Sequence, residues 1–251
     1  VMRIAIWHNL PSGGGKRALY YHVKGLLERG HYLESWCPPT ADQKYLPLSS
    51  LIKENVVPLD EATIQTNPVN RVFSAYRQTI AQINAIDCHS QRCAEEINRG
   101  GFDILFANAC MFFHAPTIGR YINIPTALYL GEPYRDFYEA RPRLPWLALS
   151  SPSKPWYISR SYLKSFLSNL VQVQGIRVKA REELKNAESF DLILVNSIFS
   201  RESVLRAYGL ESSVCYLGID SNLFTSLNMP RKDVVIGLGT IYSGKGLERA
   251  V

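Results

Sequence analysis

Short apolar runs alternate with amphipathic stretches along almost the whole chain, and glycine or proline marks the switches. The first unit sets the pattern. Residues 2–8 (MRIAIWH) form an apolar run suited to a buried parallel strand. Pro11, Ser12 and Gly13 to Gly15 break it, and from residue 16 to residue 29 Ala18, Leu19, Val23, Leu26 and Leu27 recur at helical spacing. Gly30 stops that helix, and residues 31–37 read as a second strand. A strand, a glycine turn, a helix and a strand make one crossover unit, with a right-handed connection expected.

The alternation continues. Residues 56–59 read as a short strand, 69–99 as a long amphipathic helix closed by Gly100 and Gly101, and 102–107 (FDILFA) as a strand. A short helix is expected over 115–122, a strand over 126–130, and a loop rich in proline, arginine and aromatics over 133–155. A helix over about 156–188, a strand over 190–195 (FDLILV), a helix over 199–208 and a strand over 214–217 follow. The predicted fold class is α/β, a Rossmann-like open parallel sheet with helices on both faces. Residues 221–232 are polar and read as a linker, and 234–238 (VVIGL) read as the first strand of something new. The expected division is a first domain over 1–220, a linker over 221–232 and the first strand and partial helix of a second domain over 233–251. A lone strand has no sheet to join, so the chain is expected to stop inside that second domain.

With a formal net charge of +6 and a pI near 9.0, the chain suits anionic partners such as phosphates, nucleotides or anionic lipid. Five cysteines include no CxxC pair, which favours free thiols in a reducing compartment. Cys88, His89 and Cys93 lack zinc-site spacing, so no metal is expected. No apolar run is long enough to span a bilayer, and the amino terminus enters a strand without a leader. A cytoplasmic location is expected, with association to a membrane surface.

Four segments carry candidate chemistry. Gly13, Gly14, Gly15 and Lys16 join the first strand to the first helix, where bare backbone N–H groups and the helix field suit an anion and Lys16 adds charge. The spacing matches neither GxGxxG nor a Walker A loop, and a plain flexible turn would also use three glycines. Glu132, just past the strand over 126–130, is placed to bind sugar hydroxyls or an acceptor, or is a loop acid paired with Arg135. Residues 239–246 (GTIYSGKG) repeat the glycine-turn pattern, with Lys245 either at a diphosphate or merely on the surface. Residues 133–166 interleave Arg135, Arg141, Arg143, Lys154, Arg160 and Lys164 with Tyr134, Phe137, Tyr138, Trp146, Trp156, Tyr157, Tyr162 and Phe166. That mixture suits an anionic membrane surface better than nucleic acid, and aromatics packed on the domain with solvated charges would read alike. Among five histidines, His8 ends the first strand and His114 lies near a sheet edge, so both are placed to line a crevice.

In order, the segments MRIAIWHNLPSGGGKRALYYHVKGLLERGH, FDILFANAC with NIPTALYLGEPYRDFYE, FDLILVNSIFSRESVLRAYGLESSVCYLGIDSNLF and VIGLGTIYSGKGLERAV resemble the retaining glycosyltransferases of the GT-B fold, in the group called family 4. The resemblance spans nearly the whole chain. It implies two facing Rossmann-like domains, this one mainly on the acceptor side, and transfer of a sugar from a nucleoside-diphosphate donor with retention and without a metal. It places Gly13, Gly14, Gly15, Lys16 and Lys245 at the donor diphosphate and sugar, and Glu132 at the reacting centre. It places Asn108, His114, Tyr134 and Arg135 toward a carbohydrate or lipid-linked acceptor. The family's usual arginine is replaced by Thr240, its histidine after the fifth strand by Gly131, and a further histidine by Asn108. These departures leave two alternatives: a degenerate, non-catalytic binding module, or another GT-B enzyme such as a sugar-nucleotide epimerase. The chain alone is expected to be inactive.

Overall fold

The computed structural model describes residues 1–60, 73–138, 160–222, 224–225 and 233–234. It divides into two compact units, residues Val1–Leu217 and Gly218–Val251. The second unit contains Lys245, Thr240 and the expected strand over 234–238, which fall outside the described residues apart from Val234. Arg141, Arg143 and Lys154 also fall outside them.

The first unit is built on a parallel sheet of seven strands in the order β3-β2-β1-β4-β5-β6-β7 among the described residues. The strands are β1 Arg3–Asn9, β2 Tyr32–Cys37, β3 Lys53–Val56, β4 Ile104–Cys110, β5 Thr126–Gly131, β6 Leu192–Val195 and β7 Ser213–Val214. The helices are α1 Gly14–Glu28, α2 Ser74–Arg99, α3 Arg135–Tyr138, α4 Arg160–Glu188 and α5 Ile198–Tyr208.

Side-chain alternation on β1 divides the core. Ile4 and Ile6 pack with Leu19 and Val23 of α1, with Leu33 and with Leu48 on one face. Ala5 and Trp7 pack on the other face with Ile86 and Ile97 of α2, Ala187 of α4 and Val204 of α5. The expected helices on both faces are therefore present, and both faces of β1 are apolar because both are covered.

Two elements differ from expectation. The third strand is Lys53–Val56 rather than 56–59, and the expected short helix over 115–122 is a 3-10 turn over Thr117–Tyr121. Gly119 in that turn lies so close to Phe190 that an added Cβ would come within 2.8 Å of its ring.

Candidate functional site

The sheet order turns at β1. The chain runs outward through β2 and β3, then returns to place β4 on the other side of β1. In open α/β sheets the ligand crevice forms beyond the carboxyl ends of the strands at this reversal. Of the expected site residues, Gly13 to Lys16 follow β1, Asn108 lies within β4 and His114 follows it, and these two strands flank the reversal.

The glycine turn is held from below. The backbone N–H of Met111 donates to the Asn9 carbonyl (3.1 Å), and that of Asp42 donates to the Leu10 carbonyl (2.9 Å). Gly13 caps α1 with φ 144° and ψ −162°, a region essentially reserved for glycine. Gly13, Gly14 and Gly15 are exposed, and an added Cβ on Gly13 or Gly14 would meet nothing within 4 Å. The first-turn N–H groups of α1 have no intrahelical acceptors, and no acidic side chain lies in that turn. The turn therefore offers open backbone donors with a positive helix end behind them.

Lys16 is placed differently from its neighbours. It is fully buried in the first turn of α1, and its Nζ has no hydrogen-bond partner among the described residues. Its charge acts on Glu54, Cys37 and Asp42 rather than outward into solvent. Lys16 is thus buried while the three glycines beside it are exposed. The physical reason lies beneath it: His8 Nε2 donates to Glu54 Oε1 at 3.0 Å, with both side chains sealed from water. Burial pushes the Glu54 carboxyl up, but the hydrogen bond from His8 and the charges of His8 and Lys16 outweigh it, leaving the group below its ordinary value. Burial lowers both His8 and Lys16 and, with the Glu54 charge, pushes the Cys37 thiol up to about 12.

His8, Cys37 and Glu54 present ligand-type atoms all within 4.8 Å of one another, a nitrogen, sulfur and oxygen set of the kind zinc takes. The Lys16 ammonium already supplies positive charge to this cluster, and a second buried cation beside it carries a large repulsion. Of the sequence cluster Cys88, His89 and Cys93, His89 Nε2 meets Cys93 Sγ at 3.4 Å and accepts from Trp7 Nε1 at 3.3 Å inside the core, while Cys88 is exposed.

On the β4 side, Asn108 is buried and its Nδ2 lacks a partner among the described residues. It pairs in register with Tyr129 of β5. After β4, the His114 Nδ1–H donates to the Glu132 carbonyl oxygen at 2.8 Å. A carbonyl only accepts, so Nδ1 carries the proton and the neutral ring keeps its lone pair on Nε2. The ring also lies 4.8 Å from that of Tyr134, which stacks on Phe137 at 4.5 Å. His114, Glu132 and Tyr134 are thus brought together, and Arg135 opens the short helix that follows.

Sequence reasoning missed the group that holds this loop. Glu183 Oε1 accepts from the Ala115 backbone N–H (3.0 Å) and the Tyr208 hydroxyl (2.8 Å), and Asn186 Nδ2 donates to the Ala115 carbonyl (2.9 Å). Burial pushes the Glu183 carboxyl up to about 7 despite those bonds. At the strand end, Gly131 takes φ 75°, so the position where a histidine was expected has a left-handed backbone that disfavours any side chain. An apolar cavity of about 430 Å³ lies apart from these groups, with Met2, Ile4 and Ile104 bringing it to the amino ends of the strands.

No family model matches the sequence, and no curated protein matches it. Solved structures do. One is HepE (Alr3699) of Anabaena, in complex with UDP and glucose: 16% identity, TM-score 0.51, covering 90% of this chain and 47% of that one. Weaker matches are a glycosyltransferase from Rickettsia africae (14% identity, TM-score 0.45, 91% of this chain and 46% of that one) and UGT89C1 of Arabidopsis thaliana complexed with UDP (11%, 0.47, 90% and 50%). This chain spans about half the length of the structures it matches. The likeness to HepE is one of fold: the chain has the open parallel α/β sheet found in one half of GT-B glycosyltransferases.

Proposed function

We propose that this chain forms the acceptor-side half of a glycosyltransferase that moves a sugar from a nucleoside-diphosphate donor to a carbohydrate or lipid-linked acceptor, with retention and without a metal. The observation that carries the reading is the exposed Gly13–Gly15 turn at the head of α1, beside the β1/β4 reversal. Its open N–H groups suit a diphosphate or the reacting sugar. Lys16 acts from beneath, through its field, and Lys245 in the second unit is assigned to the diphosphate. The carboxylate of Glu132 serves the reacting centre. His114 Nε2 accepts from an acceptor hydroxyl, while Asn108, Tyr134 and Arg135 shape the acceptor side.

In this reading the chain alone does not turn over, because the donor is held mainly by the facing domain. The test uses the intact two-domain protein with a panel of nucleoside-diphosphate sugars, following nucleotide release. Turnover that falls at least about a hundredfold in Glu132→Gln and in Gly14→Val supports the assignment. Unchanged turnover in both variants sinks it. Gly131 and its left-handed backbone favour a second reading, a binding module that has lost catalysis. Donor binding without release of nucleotide under any acceptor would select that one.

A further inference from the structure

The longest helix among the described residues, α4, exposes an apolar stripe over its first half. Leu163, Phe166, Leu167 and Leu170 recur at i, i+3, i+4 and i+7, so they form one stripe. They are 41%, 41%, 45% and 51% exposed. Further along, Gly175, Val178, Glu182 and Asn186 define the side of α4 that faces the body. At about 100° per residue the apolar stripe lies roughly 120° round the helix from that side. Ser161, Ser165, Ser168 and Gln172, on the other side of this half, are exposed as well.

Charge indicates what covers the stripe. From Arg160 to Arg181 the helix has no acidic residue, and it has five basic ones: Arg160, Lys164, Arg177, Lys179 and Arg181. Arg177 extends the line of the stripe, Arg160 and Lys164 flank it at roughly 70° and 110° round the helix, and all three are exposed. Leucine and phenylalanine on one face with arginine and lysine along it suit the boundary between acyl chains and anionic headgroups. A protein partner would need a concentrated acidic rim to match this one, whereas a lipid surface supplies phosphates at every position. No helix among the described residues is long and apolar enough to cross a membrane.

We propose that the first half of α4 docks in the plane of an anionic membrane surface, with Leu163, Phe166, Leu167 and Leu170 entering the headgroup boundary and Arg160, Lys164 and Arg177 over lipid phosphates. The docking does not depend on the sugar-transfer reading, and its test involves no turnover. The protein is sedimented with phosphatidylglycerol-containing vesicles and with pure phosphatidylcholine vesicles, while light scattering follows its oligomeric state. The expected result is binding to the anionic vesicles alone, weakened about tenfold by Leu167→Asp with Leu170→Asp and by Lys164→Glu with Arg177→Glu. The substituted residues are exposed, so each variant should keep the circular dichroism and melting of the parent. Three results overturn the proposal: equal recovery with both lipids, binding unaffected by the aspartates, or a dimer that the aspartates dissociate.

Discussion

Two buried glutamates, one on each side of the sheet, titrate in opposite directions. Glu54 faces α1 and is held below the ordinary carboxylate range by His8 and Lys16. Glu183 on α4 accepts two hydrogen bonds, from Ala115 and Tyr208, yet burial pushes it up to about 7. Burial alone does not decide the charge of a carboxyl; the nearest positive group does. The α1 side is therefore a region of fixed charge beneath the glycine turn. The α4 side holds its loop with a group that changes charge near neutral pH.

The largest test is on the charged side. His8→Ala removes the donor to a sealed carboxylate and should lower the unfolding free energy by about 3 kcal/mol in urea denaturation. A loss under about 1 kcal/mol would mean that water reaches Glu54. On the other side the sign reverses. The folded carboxyl of Glu183 holds its proton up to about pH 7, against an ordinary value of 4.5. Its stabilisation is fully present below 4.5 and is lost as pH rises through 7. Wild type measured against Glu183→Gln should therefore lose on the order of 3 kcal/mol between about pH 4.5 and pH 8. A flat difference across that window would remove the contrast. Glu54 works the other way, contributing above 4.5 and losing its contribution as pH falls further.

The turn above the charged cluster should respond through its backbone. Gly13→Ala meets no atom within 4 Å, so any cost comes from φ 144°, about 1–2 kcal/mol by thermal unfolding. The smallest effect is at the open edge. Lys53 pairs with Glu34 at 3.1 Å while 68% exposed, and Lys53→Ala should change stability by less than about 0.5 kcal/mol. A larger change would show that exposed pairs near β3 count as the buried one does.

The frame of the fold was legible because β1, β4 and β5 are covered on both faces and so read as apolar runs. The site was legible in part. The glycines announced a turn, and His114 and Glu132 lay just beyond the ends of readable strands. The third strand was misplaced because it is an edge strand with Lys53 exposed and Glu54 turned inward, so its sequence lacks an apolar run. Lys16 was legible as a charge at the turn but not as a buried one. Its burial depends on Glu54, which lies 38 positions later in the sequence. Glu183 was invisible for the same reason: a glutamate in a charged helix end looks solvated until Tyr208 and Ala115 close over it.

The order of the strands also bears on synthesis. Ile4 of β1 pairs with Ile104 of β4, a partner made a hundred residues later. Until that segment leaves the ribosome, β1 has β2 on one edge and nothing on the other, and the apolar face carrying Ala5 and Trp7 has no α2 to cover it. Long-range parallel pairing of this kind is slow, and the waiting strand is exposed to neighbouring chains. The strand that supports the glycine turn is therefore made before β2 to β7 and waits for β4 to close its second edge.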